Sequence, residues 1–201
     1  RSQWWTDLKE TYDTINANPI DGGIKKDLVH LWFKAYGDTA AKHKTVQFRC
    51  TVTGLTDTFS PSWDPIKYNG RADQAYQYSS FSRGVSFNFK VIATSRQEMK
   101  PIWEKLQYLS TMTMPEYVGN KGYHGTLVQF RLGDLYNNKL CFISSLSYTM
   151  MDETPWEIND IQSGQNIGEL PMGVGVQIGL TILDDVQPEI NSKVYDWNFA
   201  T

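Results

Sequence analysis

Gly84 to Ile92 read GVSFNFKVI. Val85, Phe87, Phe89 and Val91 fall on one side and Ser86, Asn88 and Lys90 on the other, the period of two that a strand with one buried face requires. The same alternation recurs on both sides of this stretch. Upstream, VQFRCTVT sends Val46, Phe48, Cys50 and Val52 one way and Gln47, Arg49, Thr51 and Thr53 the other, and reads as one strand. Downstream, LVQFRLGD puts Val128, Phe130 and Leu132 on one face. In CFISSLSYTM, Phe142, Leu146, Tyr148 and Met150 share a face opposite Cys141 and Ile143. Asn137-Asn138 between these runs predicts a hairpin with a tight turn or a short bulged connection. The last strand, GVGVQIGLTIL, places Val174, Val176, Ile178, Leu180 and Ile182 together. Gly175, Gln177, Gly179 and Thr181 oppose them, and glycines repeated on one face imply close packing or curvature there.

Helical spacing appears in two places. Met99, Ile102, Trp103, Leu106 and Leu109 form a stripe that Ser95 and Glu98 open with capping-box spacing, and Pro101 is expected to bend its first turns. Trp4, Trp5, Leu8, Tyr12 and Ile15 predict a short N-terminal helix ended by Asn18-Pro19 and Asp21-Gly22-Gly23. Ser60-Pro61-Ser62-Trp63-Asp64-Pro65 reads as a turn or ordered loop, because its prolines remove backbone donors and restrict the residues before them. Tyr117 to Gly125 reads as a loop, and the polar stretch from Asp152 to Pro171 as an excursion between strands. The expected architecture is mainly β: an antiparallel barrel or sandwich over 46–183 with one flanking helix at 95–110. An N-terminal helical arm covers 1–45, and a tail over 184–201 carries Val194, Tyr195, Trp197 and Phe199, which should dock on a neighbour.

Composition narrows the function. With 201 residues, 40% hydrophobic and 20% charged, the chain has the length and balance of one globular domain. A net charge of −3 provides no general attraction for nucleic acid. No run of about 18 apolar residues is present, so no membrane-spanning helix is expected. Cys50 and Cys141 lie in separate strand-like runs outside any CxxC pair and are expected to be buried free thiols. The chain opens Arg1-Ser2-Gln3-Trp4 with neither a Met nor a signal-type apolar region, as a stretch beginning inside a longer polypeptide would.

No residue set reads as catalytic. His30, His43 and His124 have no metal-ligand spacing, and no serine sits in a GxSxG elbow, so neither cofactor nor metal is expected. Asp152, Glu153 and Glu157 gather around Trp156 as acids and a platform do in some glycan-cleaving grooves; a solvated loop with some interface contacts is the commoner explanation. Arg71 and Asp73 would share a face on an extended segment or pair directly in a turn. As a pair they read either as a local brace or as an intersubunit bridge, and Arg83 is open to the same alternatives. Tyr76, Tyr78 and Phe81 lack the interleaved basic residues of a base-stacking platform, which favours packing beneath a loop or between subunits.

Six segments in order resemble a known family. They are WDPIKYNGRADQAYQY (63–78), FSRGVSFNFKV (81–91), EKLQYLSTMTMP (104–115), FRLGDLYNNKLCFISSLSYTM (130–150), TPWEI (154–158) and GELPMGVGVQIGLTIL (168–183). Together they are similar to the tail-tube junction, or tube-initiator, baseplate proteins of contractile-tailed bacteriophages. The resemblance implies a tail-tube fold, no catalytic residue and no cofactor. It implies a sixfold ring of identical subunits in the virion baseplate, assembled in the host cytoplasm. Partners would be tail-tube protein, the central hub, other baseplate proteins and the tape-measure protein; DNA would pass the lumen without specific binding, and no membrane is involved. The main tail-tube protein, or another hub component, is the neighbouring alternative. By resemblance Gly70, Arg71, Ala72 and Asp73 form a loop before the aromatic segment, Gly133, Asp134 and Leu135 a strand-to-turn element, and Pro155, Trp156 and Glu157 a loop near the assembly surface. The expected interface residues are Arg71, Asp73, Tyr76, Tyr78, Arg83, Asp134, Trp156, Glu157 and Trp197. A mildly acidic chain suits a conduit for DNA.

Overall fold

Alternating apolar residues become a folded sheet because each strand has one face to hide. The computed structural model describes residues 29, 31–36, 45–48, 50–93, 96–117, 122–158, 169–183, 189–190 and 192–195. The helix expected over Trp4–Ile15, the capping side chains of Ser95 and Glu98, and Trp197 lie outside these residues. The seven strands of the main sheet are β1 (Leu31–Tyr36), β2 (Thr45–Phe48), β3 (Thr51–Lys67), β4 (Gln74–Ile92), β7 (Leu127–Leu132), β8 (Tyr136–Met150) and β9 (Gly173–Ile182). A helix, α1 (Arg96–Thr111), and a small hairpin, β5 (Glu116–Tyr117) with β6 (Tyr123–His124), are inserted between β4 and β7.

The main sheet runs β2-β1-β7-β8-β9-β4-β3 and every pairing is antiparallel. β2 and β3, consecutive in the chain, stand at its opposite ends. The sheet is therefore folded over, and VQFRCTVT is not one strand: the chain breaks at Cys50 and changes partner from β1 to β4. The two halves face each other across aromatic contacts. Phe33 of β1 stacks on Phe87 of β4 at 6.5 Å between ring centres, and Phe48 of β2 meets Phe89 at 5.3 Å. β1 comes from the segment that sequence assigns to an N-terminal arm, yet it lies between β2 and β7, so the β domain already includes Leu31.

Four bulges set the faces; one of them lies in the outer half of β4, where Ser62 pairs Ser80 but Trp63 pairs Tyr78 and Ser79 is the extra residue. Gly54, with φ +63°, inserts an extra residue into β3 between Thr53 and Thr56. Asn138, with φ +57°, sits where Phe130 pairs Lys139 but Leu132 pairs Tyr136. The turn itself is at Gly133–Leu135, so of the two expected forms of the Asn137-Asn138 connection the bulge is the one present. The fourth, between Ile143 and Ser145, reverses the face of the rest of β8. Leu146 and Tyr148 consequently join Cys141 and Ile143 on the core side, and Phe142 is left on the other, a correction to simple alternation.

α1 covers the core with Met99, Leu106 and Leu109, all fully buried, and continues through Pro101. Tyr148 donates its hydroxyl to Leu106 O at 2.7 Å, and Trp103 Nε1 donates to Pro171 O at 3.3 Å. Cys50 and Cys141 are buried free thiols, and burial pushes both thiols up to about 12.

Candidate functional site

β4 pairs with β9 only from Arg83 to Ile92, whereas β3 follows it all the way to Gln74. Beyond Arg83 the two strands leave the body as a ribbon about 30 Å long. The turn or loop expected at Ser60–Pro65 is thus the middle of a strand, and β4 starts ten residues before Gly84. Prolines survive there because β3 is the outermost strand; Pro61 and Pro65 share a parity that directs their missing donors to the unpaired edge.

One face of this arm carries Phe59, Pro61, Trp63 and Pro65 against Phe81, Tyr78 and Tyr76. Phe59 stacks with Phe81 at 6.4 Å and Trp63 meets Tyr78 edge-on at 5.0 Å. The opposite face holds Ser60, Ser62, Ser80 and Ser82. The aromatic face continues the core face of the body, yet Trp63 is 55% and Tyr76 63% exposed. Among the described residues no loop covers Tyr76 and Tyr78, which are 63% and 48% exposed. At the tip, Arg71 and Asp73 pair directly in the turn, with Nε to Oδ1 at 3.0 Å and Nη2 to Oδ2 at 2.8 Å, both side chains exposed.

Arg83 is at the root. Its side chain is 4% exposed and clasps Asp57, itself 10% exposed, through Nη2 to Oδ2 at 2.6 Å and Nε to Oδ1 at 3.1 Å. Arg83 is accordingly an internal brace and is unavailable to a partner. Burial pulls the Asp57 carboxyl up, but hydrogen bonds from Arg83 and Tyr136, the Arg83 charge and Tyr195 outweigh it and leave the carboxyl below its ordinary value. Asp134, in the neighbouring β7–β8 turn, is exposed and accepts from Arg131 Nη2 at 3.1 Å. Trp156 and Glu157 lie at the opposite end of the molecule, where Trp156 bridges to Pro171 and Glu157 N donates to Leu170 O at 2.9 Å. The sequence-predicted residues therefore separate into two poles: Arg71, Asp73, Tyr76, Tyr78, Arg83 and Asp134 near the arm, Trp156 and Glu157 far from it.

Sequence reasoning missed the outer face of β3, β4, β9 and β8. Aligned across these strands are Thr53, Asn88, Gln177 and Ser147; Thr51, Lys90, Gly175 and Thr149; and Thr56, Ser86, Gly179 and Ser145. Lys90 is the one charge in these rows. Gly179 allows close packing, since an added Cβ would lie 2.5 Å from Ser145 Oγ. Among the described residues, neither the outer edge of β3 nor that of β8 after Cys141 has a partner strand. The signal was present as the polar half of each alternation, but the bulges hide the alignment. Among the described residues no group of His, Cys, Asp or Glu is placed to hold a metal ion. No protein-family model matches this chain, and no curated protein does.

Proposed function

We propose that the chain is a structural subunit whose copies join edge to edge into a ring, the outer face of β3, β4, β9 and β8 lining a conduit. The observation that carries this reading is the pairing of two open strand edges with one polar face whose three central rows hold a single charge, Lys90. β8, β9, β4 and β3 alternate in direction, so the edge strands β8 and β3 run opposite ways. Side-by-side copies then meet β3 to β8 as an antiparallel pair, the more stable ladder. Such a joint is heterologous and leads to a closed ring when the rotation between copies closes. The core faces outward into each subunit's second layer, and the polar rows face the axis. Sixfold order, placement between baseplate hub and tail tube, and a lumen for DNA are what the resemblance to tube-initiator proteins adds.

Cysteines placed at Thr53 and Ser147 test the joint. Within one chain β4 and β9 separate these positions by about 14 Å, twice the span of about 7 Å that a disulfide tolerates. The native thiols are buried. Oxidation at assembling concentration, with the β8 partner stepped along alternate residues to find the register, should yield a covalent ladder ending at one closed species. Monomer at every register would overturn the ring. Counting copies in the source particle separates a junction, one ring's worth, from a tube of many rings.

A further inference from the structure

Where the arm leaves the body it loses β9, and a two-stranded ribbon alone twists and bends readily. The junction is nevertheless held from a third direction. Arg83 Nη1 donates to Val194 O at 3.1 Å, and the Tyr195 ring lies 5.3 Å from the guanidinium carbon. The same guanidinium lies 5.0 Å from the Phe59 ring and 5.6 Å from that of Tyr136. Tyr136 donates its hydroxyl to Asp57 Oδ2 at 2.8 Å and meets Tyr195 edge-on at 5.9 Å. Arm root, the start of β8 and the C-terminal segment thus converge on one ion pair.

We propose that the C-terminal segment is a clasp: by closing over the Arg83–Asp57 pair with Val194 and Tyr195, it fixes the direction of the aromatic arm. The sequence expectation that this tail docks on a neighbour is corrected for Val194 and Tyr195, which dock on their own chain. Cation–π contact and a carbonyl acceptor strengthen as water is excluded, so the segment works by covering the pair. Its attachment is through Tyr195, which packs against the core, and a local turn rather than through strand pairing. Residues 189–190 and 192–195 form no strand, the turn is held by Ser192 N to Glu189 O and Glu189 N to Ser192 Oγ at 2.9 Å each, and Ile190 is fully exposed. Without strand pairing among the described residues, the segment can open locally while Asp57 and Arg83 stay paired across β3 and β4. The arm then has two conditions, aimed and free, and whatever displaces the tail selects between them.

The clasp lies within one chain, so its test needs no ring and its failure leaves the proposed function untouched. Spin labels on Ser80→Cys in the arm and Gln177→Cys in the body report the arm's direction as a distance distribution in the full chain. A narrow distribution is expected in the parent and in Tyr195→Phe, which keeps the ring, and a distribution at least twice as wide in Tyr195→Ala. A chain ended after Lys193, lacking both contacts, should match Tyr195→Ala. An unchanged width in both variants overturns the clasp, as does a parent that is already broad. Loss of far-UV circular dichroism in Tyr195→Ala would also overturn it, by making Tyr195 a core residue.

Discussion

Val176 lies between Phe89 of β4 and Tyr148 of β8, fully inside the core. A carboxylate there has no partner, so Val176→Asp should lower unfolding free energy by about 3–5 kcal/mol, read from urea denaturation. A stability within 1 kcal/mol of the parent, on the order of a surface change, would show that β9 presents its other face inward. Asp57 predicts a pH dependence with a definite sign. Its folded-state affinity for a proton is depressed, so its contribution is complete above the ordinary aspartate value of about 3.9 and is lost as the pH falls through the lower folded value. Asp57→Asn leaves Arg83 buried without a charge partner and should cost about 3–5 kcal/mol at pH 7. The gap between parent and variant should close as pH falls below about 4; a gap that stays constant down to pH 2 would sever this carboxylate from acid unfolding.

At the scale of the element, what was legible was what the local period controls. The apolar halves of β4, β7 and β9 and the stripe of α1 were readable because consecutive side chains there obey one period without interruption. Bulges at Gly54, Ser79, Asn138 and Ser144 were not, since an extra residue changes which face follows without changing composition. Pro61 and Pro65 misled for a related reason: they exclude a central strand but not an edge, and edge position is decided by distant pairing. The aromatic arm is legible as a cluster, while its exposure depends on where β9 ends. The same prolines guard the arm against pairing with stray strands. Pro61→Val with Pro65→Val should therefore leave the melting temperature nearly unchanged and raise the aggregation rate several-fold by light scattering. Unchanged scattering would mean the arm's edge is protected by something else. At the tip, an exposed pair such as Arg71–Asp73 adds little to stability. Arg71→Ala should keep monomer melting within about 0.5 kcal/mol and reduce assembly; equal loss of both would make the pair a folding brace.

For the whole molecule, the proposed ring raises the question of how its lumen would stay unattractive to DNA. The net charge of −3 pointed to repulsion by like charge, but the three central rows of the proposed lumen face contain no carboxylate. Serine, threonine, asparagine, glutamine and glycine dominate them, with Lys90 alone charged, so non-adhesion of the proposed lumen would rest on a scarcity of cations to exchange for phosphate counterions. That account makes the face convertible. Thr53→Arg, Gln177→Arg and Ser147→Arg place three guanidiniums in one row, across β3, β9 and β8. Each phosphate contact so gained should steepen the dependence of log binding constant on log salt by about 0.9, or about 2.7 for all three. Fluorescence anisotropy with a short duplex reads this slope directly. The parent should show little binding and a shallow slope, the triple variant measurable binding that vanishes as salt rises. Steep, salt-sensitive binding by the parent would mean that the polar rows are not what DNA meets, and the lumen would have to be sought on another face.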